Sequence, residues 1–239
     1  TNGGTSAAGA NISFGGTVNG ATAGAQNLTL NAGTAGNITL TGAAGGTTRL
    51  GSLTISNAKN LTAGTISAAA ITQQAGSGTS TFNGALNTNT AAGISLTGTN
   101  LTLNNALTTT NNGTVTVNQS GIASLTPAAT ISSDGAVALT ANGGINTAGN
   151  ITTTADSVSF YSPTTLTGNV AINTAGADIT FGGTLDGAKD LTLNAGTAGN
   201  ITLTGAAGGT TRLGSLTISN AKNLTAGAIS AAAKIGRAH

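Results

Sequence analysis

The stretch Leu28-Thr29-Leu30-Asn31-Ala32-Gly33-Thr34-Ala35-Gly36-Asn37-Ile38-Thr39-Leu40-Thr41-Gly42 carries the reading of the fold. In an extended chain successive side chains alternate between two faces, so Leu28 and Leu30 point one way and Thr29 the other; Ile38, Thr39 and Leu40 repeat the arrangement. Between the two phrases lie Asn and Gly, which turn a chain readily. The same phrase returns at Leu53-Thr54-Ile55, Ile94-Ser95-Leu96, Leu101-Thr102-Leu103, Val115-Thr116-Val117 and Val158-Ser159-Phe160. The local unit is therefore a short strand followed by a turn.

A larger repeat encloses these phrases. Residues 28 to 70 recur at 191 to 233 with one change, Thr65 against Ala228. Upstream, Asn11-Ile12-Ser13-Phe14-Gly15-Gly16-Thr17 matches Asp178-Ile179-Thr180-Phe181-Gly182-Gly183-Thr184, and the segment from Gly20 to Asn27 is four residues longer than that from Gly187 to Asp190. Tolerance of an insertion marks a surface loop.

Thr, Asn and Gly disfavour helices, and no stretch has the apolar spacing of an amphipathic helix. Successive phrases fall roughly eight to sixteen residues apart, which suits the unequal sides of a solenoid coil better than a hairpin meander. The expected fold is all-β: a right-handed parallel β-helix of roughly ten coils, with a rise of about 4.8 Å per coil and a length on the order of 50 Å. Residues 1 to 233 read as one continuous, uncapped solenoid region, stabilised by contacts between neighbouring repeats stacked end to end. Phe14, Phe82, Phe160 and Phe181 are expected as larger members of its internal stack.

Composition agrees with a narrow coil. Leu, Ile, Val and Phe make up about a fifth of the 239 residues, near the range of disordered chains, yet charged residues are only 5%. The chain has no Cys, so no disulfide framework holds it. Its seven basic residues include Lys234 and Arg237; without those two, five basic residues face five acidic ones. No basic cluster is left for nucleic acid, and no apolar run is long enough for membrane insertion.

The candidate sites are few. A carbohydrate-active β-helix needs carboxylates for acid-base work or calcium ligation, and the only ones are Asp134, Asp156, Asp178, Asp186 and Asp190. Asp178, Asp186 and Asp190 align with Asn11, Asn19 and Asn27 of the other copy. Both residue types form turns, but only Asp can exchange a proton, so these read as turn formers bonded to nearby backbone. Gly42-Ala43-Ala44-Gly45-Gly46 lacks the Lys-Ser or Lys-Thr of a phosphate loop and reads as a coil corner. Asn37, Asn60, Asn150 and Asn200 each open an Asn-x-Thr glycosylation sequence, which an Asn corner entering a strand with an outward Thr produces equally well; stacked Asn is the reading preferred. Arg49 and Arg212, with Lys59 and Lys222, read as duplicated charges on solvated corners. Thr39 and Thr41, Thr114 and Thr116, and Thr202 and Thr204 fit an ice-binding face locally, but their separations along the chain are uneven and most phrases offer one outward Thr. No catalytic, cofactor-binding or metal-ligating residue is assigned.

Phrases such as Asn37-Ile38-Thr39-Leu40-Thr41-Gly42, Asp178-Ile179-Thr180-Phe181-Gly182-Gly183 and Gly143-Gly144-Ile145-Asn146-Thr147 resemble the repeats of filamentous-haemagglutinin-like exoproteins, and less closely those of autotransporter passengers. The resemblance implies export across a Gram-negative outer membrane, often by a partner β-barrel, and a secreted filament at the bacterial cell surface. Host-cell, surface or glycan ligands would be met through the full-length protein. The expected role is a structural stalk of an adhesin, not an enzyme; the alternatives are a carbohydrate-active β-helix fragment and an ice-binding solenoid. The final Lys234-Ile235-Gly236-Arg237-Ala238-His239 interrupts the repeat and is expected to be a non-native tail, since one frame of a common sequencing adapter encodes Ile-Gly-Arg-Ala-His. His239 is accordingly given no catalytic role.

Overall fold

A computed structural model describes residues 9 to 232 and the backbone of Gly236–Arg237. Among these residues there is no helix, and every strand pairing is parallel. The strands form three longitudinal faces of a solenoid. On face 1 nine strands stack in order, from Ile12–Phe14 and Ile38–Leu40 to Thr164–Leu166 and Leu185–Asp186. Faces 2 and 3 join as one 18-stranded sheet because Ile66–Gln73 rounds a corner and pairs with both Leu86–Thr88 and Ile94–Gly98.

The nine strands of face 1 mark about nine regular turns, and isolated bridges continue the column through Ala207 to Ile229. From Ile12 to Ile229 the chain advances 217 residues in ten coil steps, or about 22 residues per coil. The expected parallel β-helix of roughly ten coils is the architecture found. The insertion falls where expected, with residues 21 to 27 all exposed.

Alternation supplies the core. In Ile38–Leu40, Leu101–Leu103 and Val115–Val117 the outer two residues are buried and the middle hydroxyl is not. Inward side chains of successive coils then meet at the strand spacing, as in Leu53, Ile71, Ile94, Val115 and Val137 on face 3. Phe82, Phe160 and Phe181 are fully buried, and the rings of Phe160 and Phe181 stack with centroids 4.6 Å apart and planes 9° from parallel. Phe14, in the first described coil, is partly buried against the same core.

The interior also takes polar groups that strict apolar alternation does not anticipate. Thr109, Ser133, Thr153 and Thr174 point inward at the corner leaving face 2. The hydroxyls of Thr109, Thr153 and Thr174 donate to the carbonyls of Gly113, Asp156 and Ala177, three or four residues ahead. Each bond ties a tight turn, and within those turns Asn111, Asn112, Ala155 and Ala175 hold positive φ. Buried Gln73 and Gln119 are paired through Nε2 alone, to Ser80 Oγ at 2.7 Å and to the Leu96 carbonyl at 2.8 Å, while the buried Oε1 of each has no hydrogen-bond partner.

The two copies of the large repeat occupy different faces. Leu28–Asn31 lies on face 3, whereas its counterpart Leu191–Asn194 lies on face 2. From Leu28 the chain makes seven steps up face 3 to Ile179, then passes face 1 and reaches face 2 at Leu191. Contacts inside each copy are nevertheless the same. Leu28, Leu30 and Asn31 pair with Leu53, Ile55 and Asn57, with a register shift after Leu30; Leu191, Leu193 and Asn194 pair with Leu216, Ile218 and Asn220, with the shift after Leu193. The unit is held by its own coil-to-coil pairs, so it fits on either side of the prism.

The backbone of Gly236–Arg237 pairs with Thr217 and Ile218. Lys234, Ile235, Ala238 and His239 lie outside the described residues, and the expectation of a non-native tail is left with them.

Candidate functional site

The residues weighed as sites are distributed over the rod as columns, and the repeat allows each role to be compared between copies. Asn11 Oδ1 accepts the Asn37 N–H at 2.8 Å, and Asp178 Oδ1 accepts the Asn200 N–H at 2.7 Å. Asn19 Oδ1 accepts from the N–H groups of Thr47 and Thr48, as Asp186 Oδ1 does from Thr210 and Thr211. Asn27 Oδ1 accepts the Ser52 N–H at 2.7 Å, and Asp190 Oδ1 the Ser215 hydroxyl at 2.8 Å. Asn and Asp are thus interchangeable as acceptors. One expectation needs correcting: the partner is 22 to 29 residues away, on the next coil, instead of in the residue's own turn. At a corner the strand ladder lapses, and a side-chain oxygen from the coil above takes the orphaned N–H.

Asparagines also bond to one another. Asn60 Nδ2 donates to Asn37 Oδ1 at 3.0 Å, and Asn37 Nδ2 to Asn11 Oδ1 at 3.3 Å. In the other copy Asn223 donates to Asn200 at 2.9 Å and Asn200 to Asp178 at 3.0 Å. Asn150 Oδ1 instead accepts the Ala171 N–H at 2.8 Å. Asn37, Asn60, Asn150 and Asn200 are therefore each engaged by the neighbouring coil.

Asp134 is the carboxylate with the most distinct surroundings. The Thr154 hydroxyl donates to Oδ1 at 2.6 Å and the Asn112 N–H to Oδ2 at 3.0 Å. These bonds, the Thr154 hydroxyl foremost, hold its pKa below the usual carboxylate value near 3.8. A shallow depression of about 380 Å³ on face 2 is lined by Asn150, Asn169, Val170, Ala171, Asp190 and Thr192. It contains one carboxylate, Asp190. Among the described residues no three His, Cys, Asp or Glu side chains gather as metal ligands.

The glycine-rich run is a corner. Ala44 bridges Val18 above and Ile66 below, and Gly45 has φ +73, with the Ser67 carbonyl where a side chain would be. Gly208 repeats this with Ser230. Lys59 and Lys222 are exposed, as expected of solvated corners, but Arg49 is not a free surface charge. It is half-buried, and its guanidinium donates to the carbonyls of Ala68 at 2.8 Å and Asn87 at 2.9 Å, which lie on two successive coils. Arg212 is exposed and donates to the Ala231 carbonyl at 2.9 Å. Both Arg49 bonds leave the same Nη1, whose two N–H groups each take one carbonyl.

The outward hydroxyls form long columns, and on face 1 Ser13, Thr39, Thr62, Thr81, Thr102 and Ser124 align without a break. On face 3 the column runs Thr29, Thr54, Thr72, Ser95, Thr116, Ala138, Ser159, Thr180, Thr202 and Thr225, broken once by Ala138. Uneven separation along the chain therefore does not disturb alignment in space, because the corner loops absorb the differences. The adjoining column is less regular, with Thr97, Asn118 and Thr140 followed by Tyr161 and Gly182. Sequence reasoning supplied the individual phrases but not this column, which depends on every corner length at once.

No family model, curated protein or solved structure matches the chain.

Proposed function

We propose that this chain is a stalk segment of a secreted bacterial surface adhesin of the filamentous-haemagglutinin-like kind, and that it works mechanically, without catalysis. The observation that carries the reading is the repeat that keeps its internal pairing while changing face. A rod whose units fit on more than one side lengthens by duplication without a new fold, which is what a spacer requires. Stability in such a rod is close to a sum of neighbour contacts, so added coils add rigidity and reach. Outward Thr, Ser and Asn repeat at each coil, so weak contacts made by them can sum to avidity. Export through an outer-membrane β-barrel and presentation at the cell surface belong to the same proposal.

Sedimentation velocity and small-angle scattering on the purified chain test it. A monomeric rod with a long axis on the order of 50 Å, together with no release of reducing ends from polysaccharides, is expected. Sugar turnover at a catalytic rate, or a species that gains β structure only on aggregation, would overturn it.

A second reading, an ice-binding solenoid, is favoured by the face 3 hydroxyl column. Tyr161 and Gly182 interrupt the adjoining column, so a second parallel row of Thr does not form there. Thermal hysteresis measurements separate the readings: a stalk gives none above that of an ordinary protein.

A further inference from the structure

An asparagine followed by a glycine can react with its own backbone, because glycine puts no side chain beside the nitrogen that attacks the asparagine amide. Four such pairs lie among the described residues: Asn19-Gly20, Asn83-Gly84, Asn112-Gly113 and Asn142-Gly143. In three of them the glycine N–H is held, by the carbonyl of Thr48 at 3.1 Å for Gly20, of Thr110 at 3.2 Å for Gly113 and of Gly121 at 2.8 Å for Gly143. The Gly84 N–H has no protein acceptor among the described residues. A held N–H must give up its hydrogen bond before its nitrogen can lose the proton and attack.

The surrounding corner holds the asparagine in place. Asn83 is exposed, on the turn that leads from Thr79–Phe82 on face 1 to Leu86–Thr88 on face 2. Its N–H donates to the Ala63 carbonyl of the coil before at 2.8 Å, and its Oδ1 accepts from Nδ2 of Asn104 on the coil after, also at 2.8 Å. Gly84 lies flat on the earlier coil. A Cβ there would strike the backbone of Gly64 and Thr65, so the packing keeps glycine at this position. Asn19 Oδ1 has donors too, from Thr47 and Thr48, but the N–H of Gly20 is tied. Among the four pairs, a bonded amide oxygen and a free glycine N–H coincide at Asn83-Gly84 alone.

We infer that Asn83-Gly84 is a self-modification site, where the folded chain converts the side-chain amide to a carboxylate through a cyclic imide. The Gly84 nitrogen gives its proton to water and bonds to Asn83 Cγ; negative charge gathers on Oδ1, where the Asn104 amide already donates. The Cγ–Nδ2 bond then breaks, and Nδ2 takes up a proton and leaves as ammonia. Water adds to either carbonyl of the imide and opens the ring, which leaves an aspartate or an isoaspartate at position 83. Nothing is oxidised or reduced, and water is the co-reactant throughout. The aspartate product keeps an acceptor for Asn104, as Asp178 does for Asn200. It also brings a negative charge into a span, Asn60 to Ser133, that contains no Asp, Glu, Lys or Arg. The isoaspartate product inserts a backbone atom where Gly84 is pressed against Thr65. The rod therefore gains charge at one corner with time, whether or not it serves as a stalk.

The full chain is incubated in mildly alkaline buffer made with heavy-oxygen water, folded or in guanidinium chloride, and then digested with pepsin in acid. Mass spectrometry follows the amide-to-acid exchange at each pair, and the solvent label marks acid formed during incubation. In the folded chain Asn83 is expected to convert about five-fold or more faster than Asn19, Asn112 and Asn142, and in guanidinium chloride, where no glycine N–H is held, the preference should vanish. Asn104→Ala, checked by an unchanged far-ultraviolet spectrum, is expected to slow Asn83 about three-fold or more, and so is Asn104→Asp, which fills the place with a group that cannot donate. A folded chain in which Asn83 converts no faster than the other three overturns the site. A preference for Asn83 that survives unfolding overturns its assignment to the fold, and a rate untouched by both Asn104 variants overturns the part given to that amide.

Discussion

The Phe160 and Phe181 stack offers a local test of how the rod is held together. Both rings are fully buried, their centroids are 4.6 Å apart and they lie on adjacent coils in register. Removing a buried Phe side chain costs about 3–5 kcal/mol, and an aromatic pair contributes about 0.5–1.5 kcal/mol beyond its buried area. For a protein this size each kcal/mol shifts Tm by about 2–4 °C, so Phe181→Ala is expected to lower it by about 10 °C if the rod melts as one unit. The pair is isolated by a double-mutant cycle, F160L, F181L and both, followed by urea unfolding. Coupling of about 1 kcal/mol is expected between them. Phe82 serves as the control, since its coil neighbours Ala63 and Leu103 are aliphatic; F82L and F181L are expected to add without coupling. Additivity of F160L and F181L within about 0.3 kcal/mol, or coupling as large between Phe82 and Phe181, would refute the view that stability is carried by contacts between adjacent coils.

Further outcomes follow from the corners. Asp178→Asn is expected to change stability by less than about 0.5 kcal/mol, because Asn11 does the same work in the other copy, whereas Asp178→Ala leaves the Asn200 N–H without its acceptor and costs about 1 kcal/mol in urea unfolding. Arg49→Ala is expected to cost about 2 kcal/mol through loss of two carbonyl bonds, and Arg212→Ala less, since it has one; equal effects in chemical denaturation would contradict the clamp. The folded pKa of Asp134 lies below its unfolded value, so its contribution to stability is present above about pH 4 and is lost as pH falls through the lowered folded pKa. Thr154→Val removes the larger cause, and a carbon-detected NMR titration should then find the Asp134 pKa moved up toward the ordinary value.

Much of the fold was legible because alternation is a two-residue rule: Leu28-Thr29-Leu30 states which side chains enter the core without reference to anything distant. Strand brevity and the turn residues between phrases then excluded helices and favoured coils. What lay beyond the sequence was set by the stacking of one coil on the next. The acceptor role of Asp178 was visible from its alternation with Asn11, but its partner 22 residues away was not. Arg49 reads as a surface charge because nothing near it in sequence places the Ala68 and Asn87 carbonyls under its guanidinium. Thr109 and Thr153 break the apolar alternation and are buried anyway, since each hydroxyl finds a carbonyl in the turn that follows it. The change of face between the two copies depends on the total count of corners between them, which no single phrase contains.

The register of face 1 can be measured most directly by cross-linking, because the chain has no Cys of its own. Thr81 and Thr102 are outward register partners on adjacent coils, 21 residues apart. Parallel neighbours stand about 4.8 Å apart, within the Cα separation a disulfide spans. Thr81→Cys with Thr102→Cys should oxidise within the monomer to a disulfide, and so should Thr102→Cys with Ser124→Cys, one coil further. Thr102→Cys with Thr116→Cys, which lies on face 3, should stay reduced. Efficient closure of the first two pairs and not the third is the result a stacked parallel solenoid predicts; closure of the third pair, or of none, would contradict it.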